Sequence, residues 1–376
     1  MPGASVSGPG PRRPAWERLP LLVFGFVALF VGLGAGLARL GWSMPEAAAG
    51  AAALHGPLMV CGFFGVVISL ERAVAIGHAW AYAAPLLAGI GTAAAMHGAV
   101  TATPWLYVAA SVVLLAASLH VLNRQRELFM AVIAAAAGCW TVGAWLWAAG
   151  WPVHELVGWW LAFLVLTIAG ERLELSRFMQ PSPAAQRIFV AIVVAMLAGL
   201  LAWGTRWGVA LYGAALVVLT GWLLRNDIAR RTVLQTGLTR FIAVCLLSGY
   251  FWLAVGGAVM IGFELAPGSA AYDAALHALL LGFVFAMVFG HAPIIFPAVL
   301  RVAVPYHPVF YAPLVLLHAS LALRLAGDAS GNFDWKRWGA MLSAIALVGF
   351  IANTASAVVR GRRAGARGAA AARAPR

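Results

Sequence analysis

Charge is what this sequence has least of. Only 10% of its 376 residues are Asp, Glu, Lys or Arg, against about 25% in a soluble globular domain. So few charges cannot cover a water-facing surface, which excludes an ordinary soluble fold. Cysteine is equally sparse: Cys61, Cys139 and Cys245 stand far apart with no Cys-x-x-Cys spacing. Neither a disulfide framework nor a zinc site is implied, and the three read as small apolar packing residues. Also missing is the alternation of apolar and polar residues over about ten positions that a membrane β-barrel strand shows.

What the chain has instead is apolar length. Hydrophobic residues make up 63% of it, and its mean hydropathy is +0.91. A helical span needs roughly 20 such residues to cross about 30 Å of hydrocarbon. Twelve continuous runs meet this, at about 19–41, 52–76, 79–99, 105–122, 128–150, 155–174, 185–204, 207–224, 239–263, 271–296, 308–326 and 336–359. The reading is an all-α, polytopic membrane protein with the lipid bilayer as its partner. It divides into an N-terminal segment (1–18), a twelve-helix membrane domain (19–359) and an Ala/Gly/Arg tail (360–376). The N-terminal segment carries no cleavage-type signal and helix 1 exceeds an h-region, so it is expected to stay attached. The tail is too simple in composition to pack and is expected to lie disordered near anionic headgroups.

The formal charge of +13 does not indicate nucleic acid, because the arginines occupy alternate loops. Arg12, Arg13 and Arg18 precede helix 1; Arg124, Arg126, Arg177, Arg187, Arg225, Arg230, Arg231 and Arg301 follow on the same side, while Glu46, Glu155, Glu264 and Asp273 fall on the other. By the positive-inside rule both termini are cytoplasmic. Only the loop with Lys336 and Arg337 dissents, accompanied by Asp328 and Asp334. Trp42, Trp105, Trp151 and Trp338 sit near span ends, as an aromatic belt requires. In helix 1, Gly32 and Gly36 have the small-xxx-small spacing that lets helices approach closely in lipid.

Three spans open alike. His55 precedes Gly62-Phe63, His154 precedes Gly158-Trp159, and His277 precedes Gly282-Phe283, on helices 2, 6 and 10. Helices 2 and 6 also close alike, with Glu71-Arg72 and Glu171-Arg172 lying 16 and 17 positions beyond the histidine. That spacing is roughly 25 Å of helix, close to the hydrocarbon thickness. The pattern suggests three four-helix pseudo-repeats, 1–4, 5–8 and 9–12. Glu71, Glu171 and Glu174 at the inner face are expected to pair with Arg72, Arg172 and Arg177 and anchor the helices, the alternative being that they admit protons.

Repeated imidazoles at matched depth can aim nitrogen ligands at an interior cofactor. His55 and His277, on like-oriented helices, could face one another across a haem plane; two histidines leave a low-spin iron, one leaves a position open to a gas. Met59, one turn from His55 on the same face, would pack against the porphyrin or a neighbouring helix. His154 joins this set through the repeat. The competing reading of each is a wetted or hydrogen-bonded structural histidine. His291 lies fourteen residues beyond His277, about 21 Å deeper and within roughly 40° of its face on α-helical geometry. It belongs to a second, inner metal site, with His120 and His307 nearest by depth, or to none. His318 falls near mid-membrane, where an ionisable group is a metal or functional candidate by default, or a neutral imidazole bonded to a neighbouring helix. His78 and His97 read as solvent-facing.

The segments HGPLMVCGFF from His55 and HALLLGFVFAMVFGHAPIIFPAVL from His277 resemble those of the NnrS membrane haem proteins and the catalytic subunit of haem-copper oxidases and nitric oxide reductases. That subunit has twelve helices in three four-helix arcs, with metal-binding histidines on helices 2, 6 and 10. The resemblance implies a bacterial inner-membrane haem protein that binds or helps detoxify nitric oxide or carries electrons in respiration, with a small gaseous ligand or redox partner. Haem is the cofactor it implies, copper a secondary one. The chain departs from that pattern: helix 10 has no His-x-His, helix 7 no His-His pair, and helix 6 no His-Pro-Glu-Val-Tyr. His307-Pro308-Val309-Phe310-Tyr311 imitates the last without its glutamate. A haem role as a possible oxidoreductase therefore survives better than a binuclear centre. The alternative is a transporter for a small solute or metal ion, suggested by Pro293 and Pro297 interrupting helix 10 beside His291.

Overall fold

The computed structural model describes residues 18–373, with side chains to 363; the N-terminal arginines Arg12 and Arg13 lie outside it. Among the described residues there is no strand, and twelve helices are long and apolar enough to cross a membrane. They are α1 (Leu19–Ala38), α2 (Ala52–Ile76), α3 (Ala79–Met96), α4 (Ala102–Arg124), α5 (Leu128–Ala148), α6 (Val153–Met179), α7 (Pro183–Leu201), α8 (Arg206–Asn226), α9 (Gly237–Gly262), α10 (Ala270–Leu300), α11 (Pro308–Ser330) and α12 (Phe333–Arg363). The helical backbone of α12 continues to Arg373, through the segment read from sequence as a tail.

Local chemistry sets many of the helix ends. Ser182, Thr205 and Ser269 each accept a hydrogen bond from the backbone N–H three residues on, at 3.2, 3.0 and 3.1 Å, starting α7, α8 and α10. These side chains satisfy donors that the first turn leaves without partners. Gly77 (φ +76°) and Gly331 (φ +70°) end α2 and α11 in the left-handed conformation, which costs glycine no Cβ clash.

The chain forms two compact units. The first comprises Met1–Arg126 with Ala144–Gly150 and Val299–Arg301, the second Glu127–Gly143, Trp151–Ala298 and Val302–Arg376. Their main boundary falls just after α4, where the sequence repeat ends its first four-helix block. In the first unit α1 lies antiparallel against α2. A Cβ at Gly25 would sit 3.2 Å from Val66, one at Gly32 would sit 2.9 Å from Met59 Sδ, and one at Gly36 would sit 2.8 Å from the His55 ring. The glycine stripe therefore lets α1 receive α2, and lipid offers no hydrophobic drive that could replace such close packing. Tyr107 of α4 lies buried 3.2 Å from Thr92 of α3.

In the second unit, aromatic side chains interlock. Trp140 of α5 stacks on Phe163 of α6, with centroids 5.1 Å apart, and Phe289 of α10 on Phe350 of α12, at 3.8 Å. Helices α8 and α9 meet at Gly213 and Gly257, where a Cβ on either would lie 2.6 Å from the other's carbonyl oxygen. Helix α10 runs unbroken through Pro293 and Pro297. Membrane helices tolerate proline because neighbouring groups satisfy the carbonyls it leaves without a donor.

Two of the described spans contain a π-helical segment. Leu58–Phe64 in α2 and Ala278–Phe285 in α10 are π-helical, a form that is rare and frequent at functional sites. In α2 the departure follows Pro57, which has no N–H to donate. Each i→i+5 turn takes up an extra residue, so side chains beyond it rotate relative to those before. His291 therefore does not keep the face of His277 that the α-helical count assigned to it.

Candidate functional site

Each of the two π-helical segments is entered from a histidine. His55 stands three residues before Leu58, and its Nδ1 lies 2.7 Å from the Gly32 carbonyl oxygen of α1. A carbonyl can only accept, so in the neutral ring Nδ1 carries the proton and Nε2 the lone pair. Gly36 makes this possible by leaving the ring room beside α1. Met59 is 8% exposed and packs on Gly32, so both side chains of the sequence pair face α1. Of the two roles expected for Met59, the structure shows contact with a neighbouring helix.

His277 immediately precedes Ala278, and its Nδ1 lies 2.8 Å from the Asp273 carbonyl oxygen one turn earlier. The same tautomer follows. The Asp273 side chain adds a carboxylate oxygen 3.4 Å from Nδ1. A carboxylate behind the distal nitrogen is how metal-bound histidines are commonly oriented and made more basic.

Asp273 is itself held by Arg324 of α11 through two 2.8 Å bonds, Nε to Oδ2 and Nη2 to Oδ1. Lys336 of α12 stands 3.5 Å from Asp273 and 2.7 Å from Asp328. Two carboxylates and two cations thus form one network over the histidine end of α10, α11 and α12. This gives the dissenting Lys336 a local reason: it neutralises carboxylates rather than adding bare positive charge to its loop. Sequence reading missed the network. Asp273 lies one helical turn before His277, a spacing that could have linked them, but Arg324 sits inside an apolar run and gave no signal.

His97 and His291 share the carbonyl bond at Nδ1, at 2.8 Å to Ala93 and 2.6 Å to Met287, but no π-helical segment follows either. His291 Nε2 lies 2.9 Å from Arg172 Nη2 and its Nδ1 2.6 Å from the Met287 carbonyl oxygen. Arginine only donates, so Nε2 accepts, Nδ1 holds the proton, and both nitrogens are taken. His318 Nδ1 accepts from Trp252 Nε1 at 2.9 Å, and its Nε2 lies 2.8 Å from Ser248 Oγ. That is a neutral imidazole tied to α9, and metal ligation by either ring requires breaking one of these bonds. His154 is 40% exposed and 3.7 Å from Glu155, at the start of a span with no π-helical segment. Arg177 pairs with Glu174 at 3.2 Å as expected, whereas Arg172 turns to His291 instead of a glutamate.

The glycine of each repeated Gly-aromatic pair is a helix contact. A Cβ at Gly62 would sit 2.8 Å from Ala28, one at Gly158 would sit 2.5 Å from the Trp203 ring, and one at Gly282 would collide with Trp252. Trp203 also donates to the His154 carbonyl oxygen at 3.3 Å. The shared opening therefore has a packing role in all three spans, and the histidine geometry distinguishes α2 and α10 from α6.

Among the described residues, no group of three or more His, Cys, Asp or Glu could hold a metal ion. A haem iron asks less of the protein, since one or two axial side chains suffice. His55 belongs to the first unit and His154, His277, His291 and His318 to the second.

Residues 18–359 match the family model described as a domain of unknown function, DUF8744. The chain belongs to this family. The match begins at the residue before α1 and ends within α12, so the family is defined by the twelve-span region. No curated protein and no solved structure matches the sequence.

Proposed function

We propose that this protein is a multi-pass, NnrS-like haem-binding protein of the bacterial inner membrane, with both termini cytoplasmic, in which His55 in the first unit and His277 in the second each present Nε2 to a haem iron. The observation that carries the reading is a shared local geometry. In each case a backbone carbonyl holds the proton on Nδ1, so the lone pair resides on Nε2, and in each case a π-helical segment follows. His154, third in the sequence repeat, has neither feature among its described contacts.

The haem would supply the redox or gas-binding chemistry, either binding or helping detoxify nitric oxide or carrying electrons. The protein's part is to orient the rings. Gly32 and Gly36 of α1 set the His55 plane, and Asp273, clamped by Arg324, sets the basicity of His277. His291 and His318 have both nitrogens bonded within the protein, so copper on either ring would require breaking one of those bonds.

The test is the absorption spectrum of detergent-purified protein from haem-replete cells, before and after dithionite. A Soret band is expected, altered or abolished in His55→Ala and His277→Ala. A colourless preparation, or bands unchanged in both variants, overturns the proposal; a colourless protein that moves metal into liposomes would instead be a transporter.

A further inference from the structure

The first unit holds a pair of imidazoles that haem ligation leaves unused. His78 follows the left-handed Gly77 in the turn between α2 and α3, and His120 lies one turn before the end of α4. Their ring centroids stand 5.7 Å apart with the planes at 90°, and Trp80 flanks His120 at 5.9 Å. All three belong to the same unit. Among the described residues neither imidazole has a hydrogen bond or an ion pair, whereas each of the other seven of the nine histidines has one or the other. His120 Nε2 is in addition buried without a partner. A buried polar atom in that state calls for a water or an ion. The two rings that lack protein partners are thus each other's neighbours.

We propose that His78 and His120 together bind one late first-row divalent ion, of the class of Zn²⁺, Ni²⁺ and Cu²⁺, with water completing its coordination. Two imidazoles on one ion, each bonded at about 2.0–2.1 Å, place their ring centres roughly 5–6 Å apart. The observed separation falls in that range, and rotation about a metal–nitrogen bond leaves the interplanar angle free. A neutral imidazole suits these ions, whereas Mg²⁺ and Ca²⁺ take oxygen ligands. Among the described residues no third His, Cys, Asp or Glu joins the pair, so the ion stays open to water and exchangeable, unlike the closed four-ligand site of a structural zinc. His78 is exposed and Trp80 is 42% exposed. The ion therefore enters from the water side without opening the helix core, and once bound it pins the α2–α3 turn to the end of α4.

The test uses full-length protein, stripped with EDTA and freed of any histidine affinity tag. It is titrated with Ni²⁺ by calorimetry and melted in Zn²⁺ and in Mg²⁺ at equal ionic strength, since a ligand of the folded state raises the melting temperature. The wild type is expected to bind Ni²⁺ and to melt higher in Zn²⁺ than in Mg²⁺. His78→Ala and His120→Ala should each weaken Ni²⁺ binding at least about tenfold and lose the shift. His78 lies in an exposed turn, so its variant serves if the His120 variant fails to accumulate. A wild type that binds no Ni²⁺ and shows no Zn²⁺ shift overturns the proposal, as does a response that persists undiminished in His78→Ala. Neither readout involves haem, and both variants keep His55 and His277, so failure here and failure of the haem reading are distinguishable.

Discussion

Replacing Asp273 by asparagine removes one negative charge and almost no volume, from the point where α10, α11 and α12 are tied together. Arg324 is then left 8% exposed, and the oxygen pair that receives its Nε and Nη2 at 2.8 Å becomes one oxygen and one competing donor. Lys336 keeps Asp328 at 2.7 Å and loses only its 3.5 Å contact, so the Arg324 clamp carries the effect. Removing one partner of a buried pair costs about 3–5 kcal/mol, and with Asp273 18% exposed the lower end, about 3 kcal/mol, applies. The backbone bond from His277 Nδ1 to the residue-273 carbonyl is untouched by the exchange, so ring orientation is retained. Unfolding of the detergent-solubilised protein by a denaturing detergent measures the loss. Adding Arg324→Gln should recover part of it, because the stranded charge is gone. A cost below about 1 kcal/mol, the value of a solvent-exposed pair, would refute the claim that this network is buried and cooperative.

Further outcomes follow from other contacts. Gly36→Ala places a methyl 2.8 Å from His55 Nδ1 and Cε1; the ring must move, so haem content or the position of the Soret band should change, and a normal spectrum would show that α1 does not set the ring. Trp252→Phe leaves His318 Nδ1 without its 2.9 Å donor and should cost about 1–3 kcal/mol of stability, measured by the same denaturation. His318→Gln should leave the haem spectrum unaltered, and a lost or shifted Soret band would make His318 a ligand after all. Tyr250→Phe removes the hydroxyl that donates to Asp227 at 2.9 Å and is expected to cost about 1–3 kcal/mol, with a neutral result contradicting the burial of that pair.

The twelve spans were legible because membrane crossing imposes length and apolarity, both of which are local. The expected 52–76 coincides with Ala52–Ile76, and 271–296 extends to Ala270–Leu300. The Gly32/Gly36 stripe was legible for the same reason: its spacing is written along one helix. The π-helical segments were not. Hydropathy is blind to whether a carbonyl is reached from four or five residues on, and Ala278–Phe285 contains no proline to signal the change. Contacts between distant positions were also hidden. Arg172 and His291 are 119 residues apart, and the Glu-Arg motif pointed to the adjacent glutamate instead. Arg324 was masked by the apolar residues around it, although a charge inside a span must find a partner. For His318 the sequence supplied two readings, and the Trp252 and Ser248 bonds supply the geometry of the bland one.

The central claim is that His55 and His277 each serve as a haem-iron ligand, and the dithionite difference spectrum of wild type, His55→Ala and His277→Ala, each purified from haem-replete cells, tests it most directly. The account predicts a Soret band in the wild type that changes in both variants while the proteins remain folded. A wild type without the band, or variants that keep it unaltered, would contradict the account.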